Sequence, residues 1–257
     1  MLKSAAGEPM LDTALIVAGS SAVCLPLLLF VPFPEPAALP FAVASMFIHF
    51  LYYLMLTGAY RRGDLSFAYP LMRGVAPLIV TLLGVAFLGE KLHPQALLGI
   101  AMICAGIITI AWFASGRHTM AAAGFALGNA AVIAVYTLID GAGARLAGSP
   151  WSYAIWLMGL EGLPFIAWVV WTRGRPALAY FRTRWRRGML GGSASVGAYA
   201  IALWAMTLAP VAVVAALCEV SVVFAALMGT LFLKETFGWR RLAGAAGVAA
   251  GVATLRL

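Results

Sequence analysis

Apolar residues in this chain fall in long unbroken runs, without the alternation of a half-buried strand or the three-and-four rhythm of a half-buried helix. Runs with few or no charges cover 12 to 32, 39 to 60, 66 to 88, 94 to 114, 120 to 139, 151 to 171, 188 to 208, 211 to 233 and 238 to 255. Each is close to the ~20 residues that a helix needs to cross a hydrocarbon core ~30 Å thick, and far longer than the ~10 residues of a tilted barrel strand. Between Gly188 and Leu233 the single charge is Glu219. That stretch is too long for one span and divides at Leu208-Ala209-Pro210, with Pro210 suited to the first helical position, where a missing N–H costs nothing. The pattern predicts an all-α membrane protein, a polytopic helical bundle of nine transmembrane helices joined mostly by short loops. The first run is longer than the apolar core of a signal peptide, and Val31-Pro32-Phe33-Pro34-Glu35 is a poor cleavage site.

Composition agrees. Apolar residues make up 63% of the chain and charged residues 10%, with a mean hydropathy of +0.97, against roughly 25% charged residues in soluble domains. When loops are taken alternately, 13 of the 17 Lys and Arg fall on one side, and three (Lys91, Arg145 and Arg256) on the other, leaving Arg73 inside a span. By the positive-inside rule residue 1 and the Arg-rich loop from 172 to 187 face the cytoplasm and Leu257 lies outside, in a multi-pass protein of the cytoplasmic membrane. The net charge of +8 therefore needs no nucleic acid. Membrane lipids are the expected contact of that loop, whose Tyr180, Phe181 and Trp185 suit an interface. Cys24, Cys104 and Cys218 all sit in apolar spans and read as packing residues. His49, His93 and His118 are scattered without metal-ligand spacing, and no Walker A, H-E-x-x-H or G-x-S-x-G occurs. No metal, no cofactor and no enzyme activity is indicated.

An internal repeat is a stronger signal than any short motif. A shift of 145 residues lays Leu82, Gly84, Phe87, Leu88, Glu90, Leu97, Gly99, Ala101, Ala105 and Gly106 on Leu227, Gly229, Phe232, Leu233, Glu235, Leu242, Gly244, Ala246, Ala250 and Gly251, with identity at every pair. Two Leu/Ala/Gly-rich stretches agree in their alanines by chance, but hardly in glutamates held in register. Duplicated cores are a common plan for secondary transporters, with the substrate site at the repeat interface near the midplane. Spans 6 to 9 match spans 1 to 4, and the fifth is left without a counterpart.

Ala59 to Pro77, which reads A-Y-R-R-G-D-L-S-x-A-Y-P-L-x-R-G-x-x-P, and Leu88-Gly89-Glu90-Lys91-Leu92 resemble stretches of the EamA-type family of the drug/metabolite transporter superfamily. The resemblance covers essentially all 257 residues. It implies two inverted repeats of five helices each, here 1–116 with the equivalents of family helices 2 to 5 and 117–257 with all five. The family's first helix has no match in the chain, and an additional apolar segment is expected upstream of Met1. A genuine nine-helix form is the other account.

Few polar groups lie inside the spans. Arg73 sits about two turns into its helix between Pro70 and Pro77, and an arginine is disfavoured on a lipid face, so it is expected to face the bundle interior with a partner. Pro77 leaves the carbonyl of Arg73 without its usual helical bond. Glu219 occupies nearly the equivalent place in the second repeat. In oppositely directed spans the two groups lie roughly 10 to 12 Å below opposite faces, under about 10 Å apart vertically in a ~30 Å core, which allows a pair. The pair is either a static lock between the halves or part of substrate or proton handling. Glu161 either faces the cavity or packs near Gly159 and Gly162. Asp140, Glu90 and Glu235 lie at span ends, where turn or capping roles are expected. Among the aromatics, Tyr69, Tyr136 and Trp204 join Arg73, Glu219 and Glu161 as candidate substrate or coupling-ion residues, with packing as the alternative, and Tyr52, Tyr53 and Tyr199 are weaker ones. Pro70, Pro77 and Pro210 are read as hinges. Gly124-x-x-x-Gly128 and Gly247-x-x-x-Gly251, with Gly244, allow close helix contact.

The residues and the resemblance together imply a secondary transporter of a small organic metabolite working by alternating access. Export is implied by the resemblance, with proton coupling open. Arg73 favours an anionic substrate unless Glu219 already neutralises it. A non-transporting membrane scaffold or a lipid-modifying enzyme are the other classes. The first has no use for internal charges in a duplicated core, and the second calls for clustered His or acidic residues at one interface.

Overall fold

The computed structural model describes residues 8–113, 119–224 and 239–255. No strand occurs among them. The chain runs through α1 (Pro9–Leu27), a 3-10 turn (Pro36–Ala38), α2 (Leu39–Arg62), α3 (Leu65–Phe87), α4 (Pro94–Trp112), α5 (Met120–Leu146), α6 (Pro150–Leu160), α7 (Leu163–Arg173), α8 (Arg175–Leu208), α9 (Val211–Cys218) and α10 (Trp239–Thr254). Among the described residues seven helical stretches, with α6 and α7 taken together, are long and apolar enough to cross a membrane, and 211–224 and 242–254 are shorter apolar helices. Large apolar side chains such as Phe30, Phe47, Leu82, Phe87 and Trp171 are exposed, as a lipid-facing surface requires. The expectations placed on Lys3, Arg117, His118, Lys234, Glu235 and Arg256, and the first-repeat match to 227–233, lie outside the described residues.

Prolines and small caps set many of the helix starts. Pro9, Pro94 and Pro150 stand in the first turns of α1, α4 and α6, where the absent N–H has no intrahelical partner to lose. Ser149 accepts from the Ser152 amide at 3.3 Å at the start of α6. Pro210 is the residue before α9 rather than its first helical residue. Pro70 and Pro77 both lie within α3, which continues from Leu65 to Phe87, and the Thr81 hydroxyl donates to the Pro77 carbonyl at 2.7 Å.

Two expectations are corrected. The Arg-rich stretch from 172 to 187 is not a loop: apart from the turn at Gly174 (φ +60°) it is helical and continuous with the following span in the 34-residue α8. Pro176 falls in the first turn, where its missing N–H costs nothing, and with no further Gly or Pro before Gly188 the helix has no reason to stop. At 1.5 Å per residue such a helix is about 50 Å long, so its arginine-bearing first turns extend beyond a ~30 Å core. Nor does the fifth span end near Asp140, because α5 runs to Leu146 and buries the carboxylate completely.

The chain forms two compact units. One holds the described residues of Met1–Thr57 and Ile139–Leu208, the other those of Gly58–Leu138 and Ala209–Leu257, so the chain passes from one to the other within α2 and within α5. In the first unit α1 packs on α8, α6 and α7. The α1–α8 crossing is set by glycine: a Cβ on Gly19 would stand 1.9 Å from the Gly188 carbonyl oxygen, and one on Gly192 would be 2.3 Å from the Gly19 carbonyl carbon. In the second unit α3 packs on α4 and α9, and α4 on α10. Gly99 lies against the Gly251 carbonyl and Gly106 against that of Gly244, so α4 and α10 run antiparallel at close range. Gly247 is near Gly106 without crowding, whereas Gly124 has nothing among the described residues within 4 Å of a Cβ position.

Candidate functional site

The intramembrane charges form two separate constellations, one in each unit. In the unit of α3 and α9, Arg73 Nε lies 2.7 Å from Glu219 Oε2, with the Arg73 side chain 22% exposed and that of Glu219 only 4%. Glu219 stands where α9 ends: the helical pattern breaks at this residue and resumes over 220–224. No Pro or Gly marks that break. Cys104 of α4 and Cys218 lie within electrostatic range of the pair. Tyr69, one turn before Arg73 on the same face of α3, is half-buried. Tyr136 is buried in the same unit, on α5. The Arg73 side chain is the more open member of the pair, although its Nε, facing Glu219, is itself buried.

The other constellation was not expected as a whole. On α2, Ser45, His49 and Tyr53 follow one another at intervals of four and share a helix face, and all three are buried. His49 Nδ1 is 2.9 Å from Ser45 Oγ, 3.1 Å from the Ser45 carbonyl and 3.2 Å from Glu161 Oε2. Tyr53 donates to Glu161 Oε1 at 3.0 Å. Asp140 accepts from the hydroxyls of Tyr153 (3.3 Å) and Tyr199. Ser45, Asp140 and Tyr153 are 0% exposed, and His49 and Glu161 4% each. Four helices therefore bring two carboxylates and one imidazole into one dry cluster.

Glu161 reaches it because the α6–α7 stretch is interrupted: Glu161 caps α6 and Gly162 precedes α7. Pro164, lacking an N–H and clashing with the carbonyl one turn back, accounts for that break. Gly159 and Gly162 press against Cys24 and Val17 of α1, while the carboxylate turns to α2. Discontinuous helices at mid-depth are where membrane transporters place substrate and ion ligands. Both internal glutamates of this chain stand at such a break.

Trp204 is elsewhere in its unit, 42% exposed and stacked on Trp151 with ring centroids 6.0 Å apart. Glu90 does cap, but on a distant helix: Oε1 accepts from the Val211 amide at 2.6 Å and Oε2 from Ala212 at 3.3 Å, at the start of α9. The polar stripe of Ser45, His49, Tyr53 and Thr57 on an otherwise apolar helix was the one sequence signal that pointed to the missed cluster. Asp140 carried none, since its place directly after the apolar run read as the end of a span and hid the length of α5.

Two stretches of the chain, 5–112 and 120–257, each match the model of the EamA-like transporter family. A solved structure described only as "Crystal structure of protein" is similar over 97% of this chain and 87% of its own, with a TM-score of 0.69 and 18% identity, a likeness of fold. No curated protein matches. The twofold match over nearly the whole length, on a chain of apolar membrane-length helices, identifies this multi-pass membrane protein as a member of the EamA-like transporter family.

Proposed function

We propose that the protein is a secondary transporter that exports a small organic anion across the cytoplasmic membrane by alternating access, with Arg73 as the anion ligand and Glu219 as its counter-ion in the empty state. The observation that carries this reading is the ion pair inside apolar helices, in which the Arg73 side chain is the more open member and that of Glu219 is closed off. A substrate carboxylate, phosphonate or phosphate replaces Glu219 on the guanidinium, since arginine offers a planar fork that suits all three. Tyr69 supplies a hydroxyl on the same face, Tyr136 belongs to the same unit, and Pro70 and Pro77 are the bends that let α3 change shape. Glu161 serves the coupling ion. Trp204 is the weakest of the candidate site residues, because it is engaged with Trp151 near the surface.

The antiparallel α4–α10 contact supports the inverted-repeat plan of nine helices, 1–116 and 117–257. Under the 145-residue shift Gly99 corresponds to Gly244 and Gly106 to Gly251. The contacts Gly99 to Gly251 and Gly106 to Gly244 are then the two halves of one reciprocal contact, as a twofold axis between equivalent helices produces.

The test is flux in proteoliposomes with a panel of radiolabelled organic carboxylates, phosphonates and phosphates. Arg73→Ala and Glu219→Ala should each lower the yield of folded protein, because each leaves a buried charge without its partner at a cost of about 3 kcal/mol. Arg73→Met combined with Glu219→Leu should recover folding and still carry nothing. Recovery of flux in that double variant would reduce the pair to a structural lock, and silence of the wild type across the panel would sink the transport reading.

A further inference from the structure

We propose that His49, Asp140 and Glu161 form the proton-carrying site of this transporter, in which one proton is shared between His49 and Glu161 and a second is held on Asp140, beside them through Tyr199. The inference rests on the transport reading above for its role, and on geometry alone for the site.

At 3.2 Å, His49 Nδ1 and Glu161 Oε2 must have a proton between them, because two lone pairs at that distance repel. The proton is on the imidazole or on the carboxyl. With the proton on Nδ1, the imidazole faces three acceptors, Glu161 Oε2, the Ser45 carbonyl and Ser45 Oγ at 2.9 Å. With the proton on Glu161, the carboxyl donates to the Nδ1 lone pair. Passing between the two arrangements moves one proton from Oε2 to Nδ1 and leaves a carboxylate that keeps the Tyr53 hydroxyl. Asp140 holds the hydroxyls of Tyr153 and Tyr199, and the Tyr199 ring lies edge-on to His49 with centroids 6.2 Å apart.

Charge counting gives the reason for protons to be held here. Among the described residues Glu161 meets Tyr53 and His49, and Asp140 meets Tyr153 and Tyr199. The other titratable groups facing it are Tyr52 of α2 and Cys24 of α1. The cations of the surrounding helices are engaged elsewhere: Arg145 of α5 donates to the Met206 carbonyl, and Arg173 of α7 pairs with Glu8. With His49 neutral and both acids ionised, the site carries two uncompensated negative charges in a dry interior, which is strongly unfavourable. Two protons make it neutral. The occluded site therefore holds two, and it releases them when a change of conformation admits water.

The groups are also graded in depth. Leu39, Leu146 and Pro150 mark one end of this unit, tied together by the Glu35 amide on the Ala147 carbonyl. Counted along their helices, Asp140 lies about 9 Å below that end, and His49 and Glu161 about 15 Å below. Asp140 is the first stop for a proton entering there, and Glu161 is close to the midplane of a ~30 Å core.

The first experiment needs no substrate. The full chain in detergent is titrated in infrared difference spectroscopy, reading the carbonyl stretch of protonated carboxylic acids, with proton uptake counted in parallel by an indicator dye. Wild type should show two such bands, one absent in Asp140→Asn and one in Glu161→Gln, and the double variant should take up about two fewer protons per chain, the number that neutralises the site. His49→Ala should shift the Glu161 band and leave that of Asp140 in place, since the imidazole shares its proton with Glu161. If Glu161→Gln does not fold, Tyr53→Phe should shift the Glu161 band by removing its hydrogen bond. Absence of any protonated-carboxyl band sensitive to these substitutions would overturn the site. The second experiment imposes a pH gradient on proteoliposomes with the same radiolabelled panel. Glu161→Gln should lose gradient-driven flux and keep exchange at equal pH, whereas an unchanged response to the gradient would overturn the coupling role. If no panel member moves in wild type, the transport reading fails, and the bands and proton count still decide the site.

Discussion

A carboxylate in an apolar span is held by whichever hydroxyl, amide or cation its backbone turns it toward, and the buried and half-buried acids of this chain show three solutions. Glu219 takes a guanidinium, Asp140 takes hydroxyls, and Glu90 takes the two leading amides of a helix that begins more than a hundred residues later. The last is the simplest to test. The first amides of α9 have no intrahelical acceptor, and a carboxylate there also meets the positive end of the helix dipole. Glu90→Ala should therefore cost about 1 kcal/mol, read as a fall of a few degrees in the thermal unfolding midpoint in detergent. Glu90→Gln, which keeps one acceptor oxygen, should lie between the two.

At the scale of the elements, glycine decides where helices touch. In lipid the apolar faces gain little by meeting one another, so close backbone approach is what holds a crossing. Gly19→Ala would place a methyl group 1.9 Å from the Gly188 carbonyl oxygen, backbone that cannot step aside without parting α1 from α8. This variant should lose most of its monodisperse peak in size exclusion. Gly124→Ala meets nothing within 4 Å and should be neutral or stabilising by up to ~1 kcal/mol, since alanine is the better helix former. A Gly124→Ala variant as damaged as Gly19→Ala would mean that small-residue spacing, and not contact, governs these positions. The breaks at Glu161 and Glu219 belong to this scale too. One is written in Gly162 and Pro164, and the other coincides with the ion pair to Arg73 and carries no mark of its own.

At the scale of the whole molecule, the arginines of α8 set the orientation. The stretch is helical where a loop was expected, but its charge still opposes translocation, because the rule depends on Lys and Arg near span ends and not on their conformation. Ala179, exposed in this stretch, should as Ala179→Cys resist an impermeant thiol reagent in intact cells and react after permeabilisation. Strong labelling in intact cells would invert the topology. The length and continuity of the apolar runs were enough to mark seven membrane-length helical stretches among the described residues, though not their ends, because every backbone polar group in a bilayer must be satisfied within its own segment. The repeat and the internal charges could be read from the sequence for the same reason: each is an exception to an apolar background. The possibility of an Arg73–Glu219 pair followed from depth alone. The face each helix turns inward did not, because helices apolar nearly all round have no amphipathic rhythm to show it. His49 therefore read as an isolated histidine and Asp140 as the end of a span. Only the packing of α2, α5, α6 and α8 could bring these two residues together with Glu161, because the partners of a buried polar group are chosen across helices, where sequence spacing carries no information.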